Sequence, residues 1–142
     1  MPTVTQSLEI PAAPEHVWEV ATDWSRYGEW NVTHTAFPEG PPSSEQGAKF
    51  KERITIMGMP GEASWTVAES SAPMRTVWDG EGPMGIRLGT RIELAPSDEG
   101  TTVSISISFD GGPLAGPVGE TVARSAQKGA LESLERLRGM IG

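Results

Sequence analysis

The final segment of the chain, from about Pro117 to Met140, constrains the fold more than any other stretch. Gly116 stands where an N-cap is wanted and Pro117 at the first helical position, with Glu120 in the first turn and Arg136 and Arg138 near the end. That arrangement suits a helix dipole. Val118, Val122, Ala126, Ala130, Leu134, Leu137 and Ile141 recur at three-and-four spacing, with Ala123 and Leu131 beside them. The spacing predicts one continuous helix buried on one face. Small residues fill the first half of the stripe and leucines the second. A sheet beneath it either comes close at the small end or leaves a cavity there.

A long amphipathic helix needs a partner layer, and a chain of 142 residues is long enough to supply one within a single domain, residues 1–142. The net charge of −8 argues against a nucleic-acid surface, because the basic residues are few and scattered. With no cysteine, a disulfide framework, a thiolate metal site and a cysteine nucleophile are all excluded. The first residues lack a basic segment followed by an apolar run, and no apolar stretch is long enough to cross a bilayer. A cytoplasmic protein without integral membrane association is expected.

The partner layer is written in period-two alternation. Val4, Gln6, Leu8 and Ile10 alternate with Thr3, Thr5, Ser7 and Glu9 in a strand over 3–10 that Pro11 ends. Pro14 starts a short helix turning Val17, Trp18 and Ala21 inward, and a second helical piece runs from Asp23 to about Glu29. Trp30 to Phe37 reads as the second strand, followed by a proline-rich loop over 38–47. Strands over 49–57, 62–69, 75–79, 86–94 and 101–109 come next. Their breaks are Gly58-Met59-Pro60-Gly61, Ser71-Ala72-Pro73, the segment 80–85 and Pro96-Ser97-Asp98-Glu99-Gly100. The expected class is α+β: a helix-grip fold in which a curved antiparallel sheet of about seven strands wraps the C-terminal helix, with two short helices after the first strand.

The residues also carry a resemblance. The run Ile10 to Val20 (IPAAPEHVWEV), followed by Asp23 to Trp30 (DWSRYGEW), resembles the opening signature of the START-like, or SRPBCC, superfamily of polyketide cyclase/dehydrase and lipid-transport proteins. Trp30 with His34, Gly58-Met59-Pro60, Gly80-Glu81-Gly82 and the run Gly111 to Gly119 are similar to an actinobacterial branch of it. Some members of that branch are classed as toxins of toxin-antitoxin pairs. The resemblance spans nearly the whole chain and implies a cavity for sterols, lipids, polyketides or hormones.

Strand parity places the mouth of such a cavity independently. Alternate turns of a meander lie at one end, so 58–61, 80–85 and 111–117 share an end with the start of the final helix. Met57, Met59, Met84 and Leu114 sit in or beside these turns, and Val122 and Ala126 lie beneath them. Unbranched methionine suits a mouth admitting apolar molecules of varied shape, although it equally serves as a loop anchor. The segment 111–116 reads as a gating loop.

Alternation turns Trp30, Val32 and His34 inward, with Phe50, Glu52, Ile54, Ile56, Trp65, Val67, Thr76, Trp78, Ile86, Leu88, Thr90 and Ile92. Trp30, Trp65 and Trp78 are flat wall candidates or plain core. His34 and Glu52 are polar on an apolar face. Either a partner or a wet cavity must receive them, or a bulge exchanges Glu52 with Lys51 and Arg53. A backbone group is the common partner of a buried histidine.

No metal-ligand spacing is present, no Gly-x-Ser-x-Gly elbow and no Walker or dinucleotide loop, so neither metal nor cofactor is expected. Three functions stand open. The first is a monomer binding a small hydrophobic ligand. The second is a cyclase or aromatase in which His34 or Glu52 moves a proton. The third is a toxin-like protein acting through a protein partner, for which the sequence offers no exposed apolar patch. Convergence of His34 and Glu52 in one cavity discriminates the second from the first.

Overall fold

In the computed structural model, which describes residues 3–114 and 116–141, seven strands form one antiparallel sheet. They are β1 (Thr3–Ile10), β2 (His34–Ala36), β3 (Lys49–Ile56), β4 (Met59–Ser71), β5 (Arg75–Glu81), β6 (Arg87–Ser97) and β7 (Gly100–Asp110), in the order β1-β7-β6-β5-β4-β3-β2. Two short helices, α1 (Pro14–Ala21) and α2 (Tyr27–Trp30), follow β1, and α3 (Pro117–Ile141) closes the chain. The arrangement is the helix-grip fold expected from the alternating strands and the single long amphipathic helix.

Alternation did set the faces. In β1, Val4 and Ile10 are buried while Thr3, Thr5, Ser7 and Glu9 are exposed; in β7, Val103, Ile105 and Phe109 are buried. Strand ends depart from the sequence reading where a side chain or a turn type decides them. Trp30 ends α2 and is not a strand residue. After it, Asn31 Oδ1 accepts from the Thr33 N–H (3.0 Å) and the Thr33 hydroxyl (2.8 Å), so the chain turns and β2 begins only at His34.

The turn expected over 58–61 is instead a two-residue hairpin, Met57-Gly58, with Ile56 opposite Met59 and Pro60 within β4 opposite Thr55. Both turn residues have positive φ (53° and 80°), the geometry whose twist matches a two-stranded hairpin. Similarly, β6 and β7 extend to Ser97 and Gly100, leaving Asp98 and Glu99 as the turn.

The helix α3 is unbroken through Gly129, and Ala130, Ser133, Leu134 and Leu137 are buried along it. The Gly116 carbonyl accepts from the Gly119 N–H at 3.0 Å in its opening turn. Its seat follows the change of residue size along the stripe. Its close backbone neighbours are β1, β7, α1, α2 and the turn Gly112–Leu114, and over the middle strands it stands off. The leucine-rich half is therefore packed. The small half, with Val122 and Ala126 only half-buried and Val118 55% exposed, faces open space. Leu131 is exposed as well.

Candidate functional site

That open space is a cavity of about 630 Å³ between α3 and the inner faces of β3, β4, β6 and β7. The floor is apolar, with Ile54, Ile56, Trp65, Leu88, Ile92 and Ile105 contributed by alternation along the strands. The roof is the small face of α3: Val122, Ala126, Gly129 and Ala130. At Gly129 a Cβ would lie 3.3 Å from Val32, so a larger residue there would press on the turn after α2.

The rim is built from the turns that strand parity assigned to one end. Met57, Gly58 and Met59 border it, with Pro83 and Met84 of the 3-10 turn Pro83–Gly85, and Leu114 of the turn Gly112–Leu114. Met84 is 75% exposed and Met59 70%. Among the described residues, Met57 and Met84 are the two non-glycine residues with positive φ (53° and 59°), a conformation costly for an unbranched apolar residue, and both sit on this rim. Ala115, part of the expected gating loop, lies outside the described residues.

One charged group is buried in the wall. Glu52 is 4% exposed, and β3 pairs with β4 in unbroken register from Lys49 to Ile56, so no bulge exchanges it with its neighbours. Its carboxylate bridges two inward side chains: Oε2 lies 2.6 Å from His34 Nδ1, and Oε1 accepts from Trp65 Nε1 at 3.0 Å. Where Glu52 is ionised it only accepts, and the Nδ1–H of the imidazole is then the donor of this bond. The partner of His34 is thus a carboxylate rather than the backbone group usual for a buried histidine.

His34 and Trp78 lie behind the wall rather than on it. The His34 ring is 4.4 Å from Phe37 and 4.8 Å from Tyr27, measured between ring centroids. Trp78 is core, enclosed by Phe50 at 4.6 Å, Trp24 at 5.2 Å and Trp65 at 5.8 Å. A strand residue that faces inward is covered when a neighbouring aromatic ring stands above it, and parity alone does not reveal this. Of the other candidates, Trp30, Glu52, Trp65, Met84, Leu114, Val122 and Ala126 all border the cavity.

Sequence reasoning missed Tyr27, Asn31 and Ser133. Tyr27 is fully buried on the wall, and its hydroxyl accepts from Asn31 Nδ2 at 2.7 Å. Burial holds its phenol well above the usual tyrosine range, and the nearby Glu52 charge raises it further, against the lowering by the Asn31 bond. Ser133 accepts from the Val32 N–H at 3.1 Å and ties α3 to the turn after α2. The signal available for Tyr27 and Asn31 was their four-residue spacing at the end of a helix. For Ser133 it was one serine inside an apolar stripe. Trp30 Nε1 is buried and has no hydrogen-bond partner among the described residues.

Among the described residues no group of three metal-ligating side chains occurs, and no helix is long and apolar enough to cross a membrane.

Residues 1–139 match the family model described as "Polyketide cyclase / dehydrase and lipid transport", and the chain belongs to that family. It is 29% identical over 136 residues to the protein named Toxin Rv0910 of Mycobacterium tuberculosis, covering 95% of this chain and 94% of that one. It is 26% identical over 143 residues to a second protein of that organism, Rv1546, over the full length of both. The fold is similar to that of a START superfamily protein from Mycobacterium smegmatis, with a TM-score of 0.71 at 19% identity, covering 98% of this chain and 96% of that one.

Proposed function

We propose that this member of the polyketide cyclase/dehydrase and lipid-transport family is a monomeric binding protein. It holds one small, largely apolar molecule, lipid-like or polyketide-like, between the sheet and α3. The observation that carries the reading is the cavity of about 630 Å³, floored by aliphatic and aromatic side chains and roofed by the smallest residues of α3. Apolar burial would supply most of the affinity, at about 25 cal/mol per Å² before ordering costs are subtracted. Trp30, Trp65, Val122 and Ala126 would form the body of the contact, Glu52 its polar point, and Met84 and Leu114 its entrance. A native mass spectrum of protein purified from its own host tests this. A discrete organic adduct that organic solvent strips away is expected. Protein of bare chain mass that also fails to take up the neutral dye Nile red would refute it.

A second reading rests on the 2.6 Å contact between His34 and Glu52. Glu52 on the wall could accept a proton from carbon next to a ketone of a bound polyketide, with His34 orienting the carboxylate, as a cyclase requires. Turnover of a poly-ketone that Glu52→Gln abolishes while binding persists would establish it. Similarity to the protein named a toxin supports a toxin-like role as a third reading, and the exposed Met57, Met59 and Met84 would offer a partner chain an apolar contact.

A further inference from the structure

We propose that the molecule held in this cavity presents a hydroxyl to Glu52, and that carboxylic acids are excluded from that position. The inference rests on the cavity being a ligand site and names the chemistry that site would take.

Glu52 is buried and stands on the cavity wall. A carboxylate offers about four lone-pair directions, and two are used here, by His34 Nδ1 and Trp65 Nε1. Among the described residues no other donor reaches it, and His34 is the one cation-forming group within ion-pair distance. The other charged residues bordering the cavity, Lys128 and Glu132, are exposed on α3. A buried acceptor with unused capacity favours a donor that replaces the water it has lost.

A second wall group narrows the choice. The Tyr27 hydroxyl accepts from Asn31, and among the described residues its own proton has no acceptor. On the wall of the one cavity, Glu52 therefore accepts and Tyr27 is free to donate. A hydroxyl does both. A hydrocarbon end would leave both groups unanswered. A carboxylate end would place a second negative charge beside Glu52 where solvent is scarce, a penalty that discriminates more sharply than any loss of contact.

The test is a fluorescence titration of the unmodified protein at neutral pH with three probes sharing one aromatic body: pyrene, 1-hydroxypyrene and pyrene-1-carboxylate. The hydroxyl compound should bind tighter than pyrene by about tenfold or more, and the carboxylate weakest of the three. Glu52→Gln removes the charge and keeps the shape, so the carboxylate should recover most of the deficit. The ranking in the parent protein needs no variant and stands even if Glu52→Gln folds poorly. A carboxylate that binds as tightly as the hydroxyl compound, or pyrene equal to it, overturns the inference and leaves the proposed function intact. Binding of none of the three removes the proposed function itself, and the two failures are thereby distinct.

Discussion

Tyr27 is the one tyrosine in the chain, so its ionisation can be followed by the tyrosinate ultraviolet band without interference. Burial raises its pKa above the usual value of about 10. In the unfolded chain the phenol loses its proton near that ordinary value, whereas the folded protein retains it. The unfolded state then binds fewer protons, and stability must fall as pH rises from about 10 toward the folded value. Below that window the group contributes no pH dependence. The expected result is a tyrosinate signal that appears together with alkaline unfolding, and a Tyr27→Phe variant whose stability declines less steeply above pH 10. A tyrosine that titrates normally in folded protein would show that the ring is not enclosed. At this scale the sequence was legible only in part. Glu52 could be assigned an inward face by parity, but its bridge between His34 and Trp65 joins residues 18 and 13 positions away, and no local pattern encodes it.

Ser133 and Leu134 lie side by side on α3 and do different work. Leu134 is fully buried, and Leu134→Ala should cost about 2 to 5 kcal/mol, read as a lowered denaturant midpoint. Ser133→Ala removes the acceptor of the Val32 N–H and should cost about 1 kcal/mol while loosening the turn after α2, which hydrogen exchange at Val32 would detect. On α1 the facing expected from the sequence holds, with Trp18 less enclosed than its neighbours. Val17 and Ala21 are buried, and Trp18 is only partly buried against the core. Trp18→Ala should therefore cost about 2 kcal/mol, below the range of about 3 to 5 for a fully buried tryptophan. A loss of about 3 to 5 kcal/mol would show instead that Trp18 is enclosed as a fully buried tryptophan is. Helices and central strands were legible because their periodicities run over many residues. Strand ends were not, because a single Asx-type contact at Asn31 or a two-residue turn at Met57-Gly58 decides them.

The whole molecule is a helix held at one end and lifted at the other. Leucines dock the C-terminal half of α3, and the N-terminal half spans hollow space beneath glycine-rich turns. At Gly119 a Cβ would collide with the Leu114 carbonyl, so the turn before α3 and its first turn are fitted to each other. The change from small to large residues along the stripe announced this geometry in the sequence. Whether the small end meant close approach or cavity depended on how far β3 to β6 curl away, which is a property of the assembled sheet. Ala126 stands at the centre of that question, on the roof of the cavity and half-buried. Overpacking a filled core costs about 1 to 3 kcal/mol, whereas filling vacant volume costs little and can stabilise. The direct measurement is a Nile red titration of the parent and of Ala126→Phe, each with its melting temperature. Saturable binding by the parent, lost by about tenfold or more in a variant that melts no lower, is the expected outcome. A parent that binds no dye, with a variant that is clearly destabilised, would contradict it.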